Sequence, residues 1–227
     1  MNKVNYKKIE KYMLSCMKSC DIAHDAEHIY RVLYNALEIS KEYDVDKDVL
    51  IASCLLHDIG RNLELNETGS NHSDEGGKLA YEFLISNGWP KSKANHVKDC
   101  IITHTYQLNM LPESIEAKIV FDADKLDLSG AIGIARYIAY SGIVSQQLYS
   151  MAESGGLLSV EQDKESSFFK GYHLELKNID DRLHTPEAKK MFVERKKEHS
   201  DIYNRLLNEV TESHHYGYET LELILDK

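Results

Sequence analysis

An adjacent histidine and aspartate, His57 and Asp58, end a mostly apolar run that begins at Val49. The run predicts a buried helix, so both polar side chains are expected at the end of a core element. Burying an imidazole and a carboxylate costs free energy unless a partner compensates them, and a divalent cation suits both ligand types. Gly60 follows and allows the backbone to turn away sharply. An ordinary helix end explains the same residues, with His57 favouring the helix dipole and Asp58 capping the next turn.

A further histidine lies near the start of the preceding predicted helix. His28 stands one turn before Val32, on the apolar face of that helix, and is expected to point inward. His24 precedes the helix and is interpreted as a loop or capping residue. An inward histidine is either a metal ligand or a hydrogen-bonded core residue, and the spacing alone does not decide between them.

Three aspartates, Asp122, Asp124 and Asp127, interrupt an apolar helix within six residues. A solvated helix face does not explain them. Asp122 and Asp124 are about 200° apart around a helix, so one inward-facing site can use only one of them directly. The periodicity does not choose, because each of the two lies on its own apolar stripe.

Taken in order along the chain, these motifs resemble the HD superfamily of metal-dependent phosphohydrolases. The resemblance rests on His28 with Arg31-Val32, on His57-Asp58-Ile59-Gly60, and on Ala123-Asp124-Lys125-Leu126-Asp127. It implies that one divalent metal is bound by four ligands, and it selects Asp124, because the last family ligand is the aspartate of an Ala-Asp-x-Leu/Ile motif. The implied ligands are His28, His57, Asp58 and Asp124.

The likeness extends beyond the ligands. A glycine-rich run from Gly130 to Arg136, then Thr185-Pro186-Glu187-Ala188 and Glu194-Arg195, resemble a bacterial branch whose relatives include nucleotide pyrophosphohydrolases. The likeness covers about residues 20 to 210. It implies an all-α HD-type helical bundle with extra C-terminal helices.

Two more histidines leave the number of metals open. His72 begins a His-x-x-x-Gly element and His104 ends the next predicted helix, as do second-metal ligands in dinuclear HD subgroups. Both residues also fit ordinary helix-terminal roles. The expected cofactor is therefore one or two divalent ions per chain, from among Mn, Fe, Mg, Co and Ni.

The cations near these motifs suit phosphate recognition. Arg61 follows the His-Asp pair, and Lys125 and Arg136 flank the last implied ligand. Asp58 and Arg61 are the predicted catalytic residues, with Asp58 orienting or deprotonating water, and Arg61, Lys125 and Arg136 are the predicted substrate-binding residues. Each cation also has an ordinary interpretation, as a solvated charge or a structural ion-pair partner.

These features predict a hydrolase of a small phosphorylated compound, a nucleotide phosphoester or phosphoanhydride. A dinuclear phosphodiesterase or dinucleoside polyphosphate hydrolase is the alternative among phosphohydrolases, and an HD-fold iron oxygenase is a more remote enzyme. A nonhydrolytic nucleotide-binding sensor is the alternative outside enzymes. Intact ligand positions favour the hydrolase, since a sensor tolerates the loss of Asp58 or Asp124.

The 3.6-residue periodicity that dominates the chain predicts an all-α protein with helices joined by short loops. We expect a single HD-type domain over residues 1–227, with a core over about 20–140 and a C-terminal helical part over about 141–227. The segment 60–70 is expected to be a loop. The predicted helices cover about residues 6–18, 26–43, 47–58, 72–87, 90–104, 112–128 and 186–210, with a further small-residue helix near 129–136.

Composition limits the classes of partner. The net charge is −10 and no basic stripe is concentrated anywhere, which argues against duplex nucleic acid. No apolar run approaches the length of a membrane span, and no signal-like segment follows the first lysines, so a cytoplasmic protein is expected. The four cysteines form no CxxC pair and are interpreted as reduced thiols. The apolar residues 221–225 are a candidate homodimer contact.

Overall fold

The computed structural model describes residues 4–18, 25–62, 71–105, 110–152 and 156–225. Its elements confirm the all-α prediction, since these residues form helices joined by loops and a single isolated bridge between Met151 and Leu157. His24, Cys20 and residues 63–70 of the predicted loop lie outside the described residues.

The chain forms two compact units. The first comprises Met1–Asp127 and Leu183–Met191, and the second comprises Leu128–Arg182 and Phe192–Lys227. The division falls after Asp127, whereas the sequence placed the end of the core at about residue 140; the assignment of one domain to residues 1–227 stays a prediction. Among the described residues, no helix is long and apolar enough to cross a membrane.

Among the described residues, the first unit contains six helices of ten residues or more and the start of a further long helix; residues 61–62 are also helical, so the loop prediction for 60–70 is wrong there. A short 3₁₀ turn, Ser40–Glu42, extends the second helix. The six helices are α1 (Tyr6–Cys16), α2 (Ala26–Ile39), α3 (Lys47–Leu56), α4 (His72–Ser86), α5 (Lys91–Ile102) and α6 (Ile115–Leu126).

Capping side chains fix where these helices begin. Asp25, Asp46 and Asn71 each accept hydrogen bonds from backbone N–H groups in the first turn of α2, α3 and α4. The predicted start of α6 at Pro112 is wrong. Ser114 caps that helix instead, because its hydroxyl accepts from the N–H of Ala117 at 3.1 Å.

The core of the first unit surrounds α3. Seven of its ten residues are buried, as the uninterrupted apolar run predicts. Side chains of α2, α5 and α6 pack in the same interior, for example Val32, Ile101 and Ile119, each with no exposed surface. The His-Asp pair at the end of α3 is therefore held in the interior of the unit.

The second unit contains α7 (Gly130–Ile143), the short α8 (Phe168–Gly171), a π-helical turn (Tyr172–Leu176), a 3₁₀ turn (Ile179–Arg182) and most of α9 (Pro186–Leu225). The small-residue run packs closely against its own preceding turn, since a Cβ on Gly133 would lie 2.1 Å from the carbonyl carbon and oxygen of Leu128. α9 continues to Leu225, well beyond the predicted end near Val210.

Candidate metal centre

Five elements bring one cluster of histidines and aspartates together inside the first unit. α2 supplies His28, the turn after α3 supplies His57 and Asp58, and α6 supplies Asp124. The Nε2 atoms of His28 and His57 lie 3.3 Å apart, and Asp124 Oδ1 lies 3.3 Å from the first and 3.9 Å from the second. Asp58 Oδ2 lies 3.7 Å from each of the same two nitrogens.

The other oxygen of Asp58 faces a second group. His72, the first residue of α4, places Nε2 at 3.7 Å from Asp58 Oδ1, and His104, just after α5, places Nε2 at 3.5 Å from it. The ligand atoms of each group, His28–His57–Asp58 and Asp58–His72–His104, lie within 4.8 Å of one another. The Asp58 carboxylate thus stands between two clusters, one on each oxygen.

Hydrogen bonds at Nδ1 fix how three of the histidines face the cluster. His28 Nδ1–H donates to Asp127 Oδ2 at 2.8 Å, and His57 Nδ1–H donates to the carbonyl of Cys54 at 2.9 Å. His104 Nδ1–H donates to the carbonyl of Ile101 at 2.5 Å. Since each of these partners can only accept, the proton of the neutral imidazole sits on Nδ1, and the Nε2 lone pair points into the cluster.

This arrangement fits a bound cation. The imidazole lone pairs and the Asp58 and Asp124 oxygens are all acceptors, so they cannot hydrogen-bond to one another in this state. The 3.3 Å contact between the two Nε2 atoms of His28 and His57 is repulsive unless a positive charge lies between them. Imidazole nitrogen and carboxylate oxygen together are the ligand set of Zn, Mn, Fe and related divalent ions.

Burial and nearby charge set the protonation of the cluster. Burial lowers the pKa of His57 to about 4, so its imidazole is neutral near pH 7. Burial alone would raise the pKa of Asp58, but the positive charge of Arg61 beside it holds that pKa well below its usual range. Burial alone would also raise the pKa of Asp124, but the positive charge of Lys125 holds it well below its usual range. Both carboxylates are therefore ionised.

Two of the predicted cations lie against these carboxylates. Arg61 Nε donates to Asp58 Oδ1 at 3.1 Å. Lys125 Nζ donates to Asp124 Oδ2 at 2.8 Å and lies 5.5 Å from the centre of the Phe121 ring. Arg136 belongs to α7 of the second unit, and its role in substrate binding stays a prediction.

The structure separates the two aspartates that periodicity could not. Asp124 faces the histidines, whereas Asp122 is fully buried on the other side of α6. Asp122 accepts hydrogen bonds from the backbone N–H groups of His184 and Thr185 at 2.8 and 2.7 Å, and from the Thr185 hydroxyl at 2.6 Å. It therefore secures the segment before α9 instead of entering the cluster.

Asp127 is a functional residue to which the sequence assigned no role. Its carboxylate accepts from His28 and also from Arg31, whose Nε and Nη2 donate at 2.8 and 3.1 Å. Buried between them, Asp127 holds the His28 ring and fixes its tautomer, as partners of metal-binding histidines commonly do. The signal was its place in the Ala-Asp-Lys-Leu-Asp motif and the Arg31 that follows His28 by one turn.

Gly60 is required for a reason other than a sharp turn. Its φ is not in the left-handed region, but an added Cβ would lie 2.1 Å from the carbonyl oxygen of His72 and 2.7 Å from the nitrogen of Gly76. α4 thus packs directly on the His-Asp turn. Close backbone approach at Gly60 brings His72 to Asp58.

Comparisons with known proteins agree with this geometry. Residues 25–129 match the HD domain family. The Bacillus subtilis (strain 168) protein YpgQ is 28% identical over 191 residues, which cover 82% of this chain and 84% of YpgQ. The crystal structure of YpgQ in complex with ADP aligns with a TM-score of 0.67 at 24% identity, covering 90% of this chain and 97% of that one.

Two further crystal structures share the fold. A Lactobacillus plantarum protein aligns with a TM-score of 0.74 at 21% identity and covers 93% of this chain and 99% of its own. An HD-superfamily hydrolase from Bacillus thuringiensis aligns with a TM-score of 0.65 at 27% identity, covering 90% and 97%. The matched residues 25–129 contain the whole cluster, from His28 on α2 to Asp127 after α6. Residues 25–129 of this chain therefore carry an HD domain, and the fold is similar to that of HD-superfamily hydrolases.

Proposed function

We propose that this chain hydrolyses a phosphoester or phosphoanhydride bond of a nucleotide, with a divalent ion held by His28, His57, Asp58 and Asp124. The observation that carries the proposal is the convergence of acceptor atoms on both oxygens of Asp58. A bound divalent ion would act as a Lewis acid and would lower the pKa of a water molecule bound to it. The chain itself supplies neutral imidazoles, ionised carboxylates and cations at the rim.

The residues around the cluster divide the remaining work. Asp58 is held ionised beside Arg61, with its carboxylate in the middle of the cluster. It is therefore suited to orient a water molecule or to take up its proton. Arg61 and Lys125 carry positive charge beside Asp58 and Asp124, where they can donate hydrogen bonds to the phosphate oxygens of a substrate.

Two facts favour a nucleotide as the substrate. YpgQ, 28% identical to this chain, has been crystallised in complex with ADP. The chain has a net charge of −10, so local positive charge is needed to attract an anionic phosphate. Arg61 and Lys125 supply such charge beside the cluster.

A metal-reconstituted substrate screen tests the proposal. The chain is treated with chelator, reloaded with Mn²⁺, Co²⁺ or Mg²⁺, and incubated with nucleoside mono-, di- and triphosphates while products are identified. Release of phosphate, pyrophosphate or a nucleoside distinguishes the possible bonds. Asp124→Asn should abolish turnover, whereas Asp201→Asn, at an exposed carboxylate paired with Lys197, should not. Full activity in excess chelator, with metal absent by elemental analysis, would refute the proposal.

The second cluster favours a dinuclear variant of the same reaction. His72 and His104 flank Asp58 Oδ1 and give a second ion the same kinds of ligand as the first. Two ions held by these residues would suit in-line cleavage of a phosphodiester or a dinucleoside polyphosphate. The proposal is therefore extended to two ions per chain.

Metal counting decides the extension. His72→Ala and His104→Ala should reduce the bound metal from two ions per chain to one and depress turnover severely. His96→Ala is the matched control, because His96 lies on α5, bonds the hydroxyl of Ser114 and is partly exposed. A wild-type chain that saturates at one ion, with unchanged counts in both variants, refutes the second ion and leaves the hydrolase intact. Nucleotide binding without any product would instead indicate a sensor.

A further inference from the structure

The last part of α9 presents an apolar stripe to solvent. Leu207, Val210, His214, Gly217, Leu221 and Ile224 follow one another at alternating steps of three and four residues, the spacing of a coiled-coil seam. The stripe continues from Tyr203, which is buried in the second unit. Toward the C-terminus it becomes exposed, with 50% of Leu221 and 62% of Ile224 accessible to solvent.

The charges of this segment all lie off the stripe. Glu209, Glu212, Glu219 and Glu222 occupy the outer positions of the heptad. The positions that flank the stripe are uncharged over 207–225: Thr211, Ser213, Tyr218, Thr220 and Leu225. In an antiparallel pair of identical helices, each flanking position faces the equivalent flanking position of the other helix, so like charges at these positions would repel each other. Their absence suits pairing of this helix with itself.

Gly217 adds a second observation. Glycine inside a helix is less favourable than alanine. Nothing in the unit requires it, because a Cβ at Gly217 would meet no atom within 4 Å and its φ is not positive. A glycine at a seam position removes the side chain where another helix would approach.

We infer that residues 207–225 pair in an antiparallel coiled coil with the same segment of a second copy of this chain. Antiparallel pairing sets Leu207 against Ile224 of the second copy and Val210 against its Leu221. The central layer then sets His214 against Gly217 of the second copy, so that the largest polar side chain of the stripe lies where the partner has none. The stripe of one copy is thus complementary to the same stripe of a second copy running in the opposite direction.

Solution mass tests the pairing in the full chain. Wild type should sediment and scatter with twice the 26.0 kDa chain mass and dissociate on dilution. Leu221→Glu should give the monomer mass throughout the dilution series, since it sets a carboxylate against an apolar layer. Leu223→Glu is the matched control: Leu223 is 67% exposed but lies on the outer face, so this variant should keep the wild-type mass. Far-ultraviolet circular dichroism of both variants verifies that the chain is folded.

Cysteine pairing tests the orientation. His214→Cys and Gly217→Cys chains, mixed and oxidised, should form a mixed disulfide, while neither alone should cross-link above the wild-type background. A crosslink in each single variant would indicate parallel pairing and overturn the antiparallel assignment. A wild-type chain of monomer mass, a Leu221→Glu chain that stays dimeric, or a Leu223→Glu chain that dissociates equally would each overturn the interface. None of these readouts depends on hydrolysis.

Discussion

Asparagine at position 127 keeps the shape of the side chain while removing the charge that holds His28. The wild-type carboxylate accepts one hydrogen bond from His28 and two from Arg31, at 2.8, 2.8 and 3.1 Å, and only 4% of the residue is exposed. Oδ2 accepts from His28 and from Arg31 Nη2, and Oδ1 accepts from Arg31 Nε, whereas an amide offers only one oxygen, so it cannot keep all three bonds.

Either orientation of the new amide weakens the site. With its oxygen toward His28, the NH₂ group faces the Nε–H donor of Arg31, and the guanidinium loses its anionic partner. With its NH₂ group toward His28, Nδ1 must accept, and the ring proton moves to Nε2, where it occupies the lone pair that a metal needs. Loss of such a supporting partner typically weakens metal binding 10- to 100-fold, which is about 1.4–2.7 kcal/mol.

Metal affinity is the measurement, because turnover alone would not separate positioning from chemistry. Isothermal titration with Mn²⁺, and the visible absorption of bound Co²⁺, report affinity and coordination for the wild type and for Asp127→Asn. Arg31→Gln keeps the bond between Asp127 and His28 and should lose less affinity. Asp201→Asn, at a surface ion pair, should lose none. If Asp127→Asn binds Mn²⁺ within about twofold of wild type, the carboxylate does not position His28.

Three further changes probe the surroundings of the centre. Asp122→Asn should keep the bound ion but lower the free energy of unfolding by about 1–3 kcal/mol in urea titrations, because the amide cannot accept all three buried hydrogen bonds; loss of the ion would place it in the cluster. Gly60→Ala should destabilise the fold by about 1–3 kcal/mol and reduce the number of metal ions bound per chain, since its Cβ would press on the carbonyl of His72. Gly142→Ala is the control and should be nearly neutral in both assays, because open space surrounds Gly142. Burial, and then Lys196, lower the pKa of His199 to about 4, so below pH 6.5 the unfolded chain binds a proton on this residue whereas the folded chain does not. The stability that neutral His199 contributes should be complete above pH 6.5 and fall by at most about 3 kcal/mol between pH 6.5 and 4. His199→Gln should reduce that loss in urea titrations across this range.

The helices of the first unit were predictable because their signals are local. Asp46 and Asn71 cap the helices that follow them through hydrogen bonds that span two or three residues, and such patterns are visible in sequence. The start of α6 was misplaced since Pro112 and Ser114 compete as signals two residues apart. The length of α9 was underestimated because its last turns are held by no core contact that would produce a strong buried stripe.

The pairings within the centre were not predictable in the same way. Asp122 and Asp124 are both turned toward buried partners, and the partner that captures Asp122 lies more than sixty residues further along the chain. Periodicity indicates that a helix face is buried but does not identify the residues that cover it, so only the family resemblance favoured Asp124. Asp127 was overlooked for the same reason, since its partner His28 is 99 residues away in sequence.

The two oxygens of the Asp58 carboxylate have surroundings that come from different structural elements. A change on one side can therefore alter the number of bound ions without unfolding the centre. Oδ2 faces His28 of α2 and His57 in the turn after α3, and Asp124 of α6 lies against the same two imidazoles. Oδ1 faces histidines at the start of α4 and after α5, and α4 reaches the turn only because Gly60 admits its backbone. A change at Gly60 should therefore disturb the Oδ1 side while the Oδ2 side, anchored through Asp127 and Cys54, persists. The order of loss follows from the packing: the second ion should be lost before the first, and the first before the fold.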